Sequence, residues 1–266
     1  MGHIIAFVSI KGGVGKTTLA LETASSLAND FGKKVLLIDA NFSAPNVGLY
    51  LDLTEDLGLH DVLENERQMH VAIYEAHGFD VIPASLYYDK QVDVFKLKKL
   101  IEKVESRYDY IILDSSPNYE ELKPVIVAAE KIFIVTTPDD VTLKTSMKAA
   151  VLAKYRKTPV EGIIINKIRD SDFELSLNEV EEFSEIPVVA RIPDHKRMNE
   201  ALFYRKPMGI YKRRNPVSRE VRRFASALCG VPEKEGFFSG IVWRMTVPKE
   251  KVNRNLMRER FYESQL

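Results

Sequence analysis

Apolar positions in this chain follow two periods, and the two alternate. His3-Ile-Ile-Ala-Phe-Val-Ser9 is apolar at nearly every position, as expected of a strand buried on both faces. Residues 17–31 then carry Leu19, Ala20, Leu27 and Ala28 at helical spacing, and Gly32 stops the pattern. Lys34-Val-Leu-Leu-Ile-Asp39 reads as the second strand. The alternation continues with strands at 80–83, 110–114, 131–136, 162–166 and 188–190. Helices are expected near 57–65, 95–106, 119–129, 140–156, 174–183 and 216–228. Continuously apolar strands separated by helices predict an α/β fold in three layers, a mostly parallel twisted sheet with helices on both faces.

The regular pattern runs out at Gly230-Val-Pro232, so residues 1–230 are expected to form one domain and 231–266 a C-terminal tail. Within the tail, Phe237, Phe238, Ile241, Val242 and Met245 share one face of a helix, flanked by Trp243. Val252, Leu256, Met257 and Phe261 repeat a weaker stripe among Lys249, Lys251, Arg254, Arg258 and Arg260. Two amphipathic helices are one reading, suited to an anionic membrane surface. Packing on the core or on a partner protein is the other.

Composition narrows the classes. At 266 residues and 45% hydrophobic the chain can bury a sizeable core. The lone Cys229 rules out an internal disulfide or a paired-cysteine metal site, and the five histidines show no ligand spacing. No apolar run reaches the roughly 20 residues of a membrane span, and no cleavable signal is visible, so a cytoplasmic chain is expected. Net charge is zero, but unevenly assembled. Residues 1–190 hold 20 basic and 30 acidic side chains, whereas 191–230 hold 11 basic and 3 acidic. A basic segment on a neutral protein is either a directed electrostatic surface or a solvated helix face.

The chemistry concentrates in Ile10-Lys-Gly-Gly-Val-Gly-Lys-Thr-Thr18, between the first strand and the first helix. Gly12, Gly13 and Gly15 let backbone amides turn inward around Val14 to form a nest for phosphate oxygens. The helix beginning near Thr17 points its positive end at the same place, with Thr18 in its first turn. Lys16 can reach the β- and γ-phosphates, and the Thr17 hydroxyl can ligate Mg²⁺. Ile10 stands where the general phosphate-loop motif has its first glycine; Lys11 and Gly12 precede the usual core instead.

Lys-Gly-Gly-Val-Gly-Lys-Thr resembles the deviant phosphate loop (Walker A) of the MinD/ParA/Mrp ATPases, and the resemblance extends over the first 230 residues. Leu37–Gly48 is similar to that family's first switch, and Gly58–Leu63 to a segment typical of the MinD branch. Tyr108–Pro117 resembles the second metal-site strand and second switch. Ile165–Arg169 and Arg191–Asp194 resemble base-binding segments, followed by Arg205–Met208 and Asn215–Ser218. The resemblance implies a P-loop NTPase fold binding ATP and Mg²⁺, with two subunits sandwiching two nucleotides. Lys11 is then the signature lysine that reaches the partner's nucleotide. Thr17, Asp39 and Asp114 hold Mg²⁺ and its waters. Asn166 reads the adenine edge, and the segment around Pro193 lines the base pocket.

Two departures bear on catalysis. Where the family has a second Asp in its first switch, associated with the attacking water, this chain has Asn41 after Asp39-Ala40. An amide accepts a hydrogen bond from water but cannot take its proton. Asn118 stands where a glycine is common in the second switch, and Asn tolerates the left-handed backbone a glycine can adopt there. The expected function is therefore a slow ATPase and dimerisation switch of the MinD type. It would act in division-site placement or in assembly of a cellular structure, through a homodimer and a regulatory protein partner. A peripheral contact at the inner face of the membrane, through the tail, belongs to the same expectation. Two alternatives stay open: a non-hydrolysing ATP sensor, and a ParA-like DNA-partitioning ATPase using the basic segment, the latter disfavoured by the MinD-like segments.

Overall fold

The computed structural model describes residues 2–54, 56–65, 68–88, 92–169 and 172–231, and residues 252, 254, 255 and 257 of the tail. Its strands are β1 (His3–Val8), β2 (Val35–Ala40), β3 (Tyr74–Ala76), β4 (Phe79–Ile82), β5 (Tyr110–Ser115), β6 (Lys131–Thr136), β7 (Val160–Ile168) and β8 (Val188–Pro193). The helices are α1 (Lys16–Phe31), α2 (Val47–Leu51), α3 (Leu59–Asn65), α4 (Leu97–Ile101), α5 (Tyr119–Ala128), α6 (Asp140–Arg156), α7 (Leu177–Ser184), α8 (Arg197–Phe203), α9 (Met208–Tyr211) and α10 (Pro216–Leu228).

The strands form one sheet in the order β3-β4-β2-β5-β1-β6-β7-β8, parallel throughout except for the β3 edge. Strand side chains alternate between two cores. Ile4, Ala6 and Val8 of β1 join the face covered by α3, α4, α5, α6 and α7, whereas Ile5 and Phe7 join the face covered by α1, α2, α8, α9 and α10. On the second face Phe7, Phe133 and Phe224 form a ring cluster, with centroids 5.0–6.2 Å apart, that ties α10 beneath the end of β1. Such packing adds roughly 0.5–1.5 kcal/mol per aromatic pair beyond area burial.

The expected three-layer sheet is the one observed. The residues expected as one helix over 95–106 instead form a short 3₁₀ turn at Val94–Lys96, α4, and a second 3₁₀ turn at Glu105–Arg107. Val92 and α4 pack inward while Phe95 stays exposed, so no single stripe spans the segment. β3, α2, α8 and α9, absent from the sequence reading, have five residues or fewer except α8, too short for a period to register.

Phe237, Phe238, Ile241, Val242, Trp243 and Met245 lie outside the described residues, as do Leu256 and Phe261. Of the weaker stripe, Val252 and Met257 pack against the two cores. Arg254 donates from Nε to the Val189 carbonyl at 2.8 Å and pairs with Glu220 on α10. No described helix is long and apolar enough to cross a membrane.

Candidate nucleotide site

A cleft of about 670 Å³ opens at the carboxyl ends of the parallel strands, where α/β sheets hold their ligands. One wall is the loop between β1 and α1. Ser9 Oγ accepts from the Lys11 amide at 3.2 Å and bonds Ser146 Oγ at 3.0 Å, fixing the loop's start to α6. The Val14 side chain is buried in the core under the loop. Gly15 precedes α1 with φ 96°, and a Cβ there would lie 2.2 Å from Asn166 Nδ2, so both conformation and space demand glycine. No side chain caps α1, which leaves its first amides and its dipole free for an anion. Gly12, Gly13, Thr17 and Thr18 line the same wall.

The two lysines of the loop differ sharply. Lys16 is buried, 6% exposed, with Nζ 3.5 Å from the Lys11 carbonyl. Burial lowers its pKa, and the neighbouring Asp114 partly opposes that. Lys11 is exposed.

Opposite them stand two carboxylates. Asp39 and Asp114 are direct partners in the β2–β5 register, and both are fully buried. Asp39 Oδ1 accepts from the Asn41 amide at 3.1 Å, and Oδ2 accepts from the Asn46 and Val47 amides at 2.9 and 3.0 Å. It thereby shapes the loop into α2 as well as facing Asp114. Burial, then repulsion from Asp114, pushes its carboxyl up to about 8. Burial pushes Asp114 up to about 6, opposed by the Thr17 hydroxyl and Lys16. Neither Asp114 oxygen has a hydrogen bond of ordinary geometry. Two adjacent buried carboxyls, one with orphaned oxygens beside a threonine hydroxyl, are a hard-oxygen donor set that fits Mg²⁺.

Asn41 is buried in the same wall. Its Nδ2 donates to the Ala44 carbonyl at 2.5 Å, leaving Oδ1 without a partner. Asn118 has φ −73° and caps α5, accepting from the Glu120 and Glu121 amides. The left-handed backbone anticipated there is not used, because the position serves as a helix N-cap.

The far end of the cleft comes from β7, β8 and α8. Asn166, Arg169, Ile192 and Pro193, all within segments singled out in the sequence, line it together with Met198 and Asn199, which were not. The Asn166 amide also holds the phosphate loop, donating to the Val14 carbonyl at 2.7 Å. Glu22 on α1 supports this end from below, accepting from the Met208 and Gly209 amides at 2.5 and 3.2 Å. Burial pushes its carboxyl up to about 7. An acidic residue on the buried face of α1 was the available signal for Glu22; α8 offered none.

The basic segment is partly neutralised by its own fold. Arg213 and Arg222 approach Asp30 at 2.7 and 3.2 Å, Arg205 meets Asp52 at 2.5 Å, and Arg223 lies 3.8 Å from Glu220. That favours the solvated-face reading for these arginines. Lys196, Arg197, Lys206, Lys212 and Arg214 are exposed.

A family model described as an AAA domain matches residues 2–155. An uncharacterised ATP-binding protein of Methanocaldococcus jannaschii is 30% identical over 234 residues, covering 86% of this chain and 89% of its own length. The cell division ATPase MinD of Pyrococcus furiosus superposes with a TM-score of 0.79 at 28% identity, over 85% of this chain and 98% of the other. The septum site-determining protein MinD of Pyrococcus horikoshii, solved with Mg-ADP, gives 0.79 at 26% identity over 85% and 95%. Loop, paired carboxylates and sheet order agree with these likenesses: the chain belongs to the MinD/ParA group of AAA-domain P-loop ATPases.

Proposed function

We propose that this chain binds ATP with Mg²⁺ and works as a slowly hydrolysing dimerisation switch of the MinD type. In that role it places a division site or assembles a cellular structure through a regulatory protein partner. The observation that carries the reading is the contrast between the loop lysines: Lys16 is buried in the cleft wall, whereas Lys11 is exposed. In this reading the buried cation serves the chain's own phosphates, and the exposed one serves those of a second subunit.

Thr17, Asp39 and Asp114 are the residues that hold Mg²⁺, which when bound neutralises phosphate charge. Lys16 and the α1 amides hold the phosphates. Asn41 Oδ1, buried and unpartnered, accepts a hydrogen bond from a water without taking its proton. Asn166, Ile192 and Pro193 enclose the base. Contact of the tail with the inner face of the membrane belongs to the same reading, since dimerisation turns two weak surface contacts into an avid pair.

Lys11→Ala tests the switch. The variant retains nucleotide binding as a monomer and loses ATP-dependent dimerisation in sizing chromatography with Mg²⁺. A Lys11→Ala protein that still dimerises with ATP refutes the trans role. Asn41 also favours a second reading, an ATP sensor with scarcely any turnover. Phosphate release separates the two. Asn41→Asp raises turnover several-fold, well below the roughly 10²–10⁴-fold of a full general base, because hydrolysis here is mostly positioning. Wild-type turnover equal to that of Asn41→Asp removes Asn41 as the brake.

A further inference from the structure

Adjacent residues at the end of β7 grip adjacent carbonyls of the phosphate loop. Asn166 Nδ2 donates to the Val14 carbonyl at 2.7 Å, and Lys167 Nζ donates to the Gly13 carbonyl at 2.7 Å. In a trans peptide the C=O of one residue and the N–H of the next point in opposite directions. Holding the Gly13 carbonyl toward β7 therefore turns the Val14 N–H away from it, and holding the Val14 carbonyl does the same for the Gly15 N–H. Those two amides are among the inward-turned groups of the phosphate nest.

The local backbone is bent to make this grip. The β7–β8 register shifts between Ile165 and Ile168, and Lys167 has φ 59°. A lysine in the left-handed region is uncommon and lacks the short polar side chain that eases Asn or Asp into it. Such strain persists where surrounding structure over-determines it, and it clusters at ligand sites. Here the surrounding constraint is the loop itself, with Asn166 packed against Gly15 on one side and Nζ fixed on Gly13 on the other.

We infer that Lys167 is a positioning residue for phosphate binding: from a strained backbone it orients the Val14 amide by holding the Gly13 carbonyl, beside Asn166, which does the same for the Gly15 amide. This rests on the nucleotide reading above and assigns Lys167 no contact with the nucleotide. The grip also links the base end of the cleft to its phosphate end, because Asn166 belongs to both.

The test titrates ATP, ADP and inorganic tripolyphosphate, with Mg²⁺, into the full chain and three variants. Lys167→Met removes the amine at similar length. Lys167→Gly removes it and accepts φ 59° without strain, so this variant melts no lower than wild type. Lys167→Arg keeps a donor. Met and Gly variants are expected to bind all three ligands about tenfold more weakly, the size of a lost charge-assisted hydrogen bond, and Arg to recover most of the loss. Binding of all three within twofold of wild type in the Gly variant overturns the inference and leaves the nucleotide reading standing. A loss for ATP and ADP without a loss for tripolyphosphate also overturns it, since the lysine would then act on base or ribose. A wild-type chain that binds none of the three removes the nucleotide reading and this inference together.

Discussion

The phosphate loop and the rim from β7, β8 and α8 line one cleft, and they are built in opposite ways. The loop is a single stretch of nine residues whose glycines, lysines and threonines act through their own backbone and the helix that follows. The rim draws Asn166 from β7, Arg169 from just beyond it, Pro193 from β8 and Met198 from α8, and is propped by Glu22 from α1 through α9. The difference teaches where each part is vulnerable. Damage to the loop removes the site's charge and geometry directly. Damage to the rim is felt through supports that sit far apart in sequence.

The largest expected effect falls inside the loop. Lys16→Ala removes the lysine buried in the cleft wall beside Asp114, and nucleotide affinity measured by calorimetry is expected to fall on the order of 10²-fold or more. A loss under threefold means that the rim, not the loop, dominates binding, and reverses the comparison.

Gly15→Ala strikes where the two regions meet. The added methyl group collides with Asn166 at 2.2 Å and sits at φ 96°. Displacing both partners is expected to destabilise the fold by about 1–3 kcal/mol. Nucleotide binding weakens in step, by urea unfolding and titration respectively. Adding Asn166→Ala to Gly15→Ala should recover part of the stability. If it does not, the crowding is not what constrains Gly15.

The smallest effect lies under the rim and depends on pH. Glu22 is raised from 4.5 to about 7 by burial, so the folded state holds its proton where the unfolded chain has released it. Its contribution is fully present below about pH 4.5 and is lost as pH rises through 7, at most on the order of 3 kcal/mol. Asp39 and Asp114 give slopes of the same sign, so the informative quantity is the difference between wild type and Glu22→Gln. Urea unfolding from pH 5 to 8 should show a flatter profile for the variant. Parallel profiles show that Glu22 is ionised throughout and held by the Met208 and Gly209 amides alone.

What the sequence determined by itself was whatever is local or periodic. Apolar runs such as 110–114 and 131–136 read as buried strands because they are only five or six residues long and rich in β-branched and aromatic side chains, and both are central in the sheet. The spacing from Lys11 to Thr18 brought its chemistry with it, because strand, loop and helix are consecutive. Asp39 and Asp114 were legible as separate strand ends. Tertiary structure alone decided that they are register partners, that burial crowds both, and that Asp114 keeps orphaned oxygens. It also decided that Asn118 caps a helix rather than opening a left-handed turn, and that Asp30 and Asp52 neutralise part of the basic segment. The Lys167 grip on Gly13 spans 154 positions and depends on a bulge, and neither carries a period. Hydrophobic period encodes which face an element buries. It does not encode which distant polar atom completes a hydrogen bond, and that choice falls to packing.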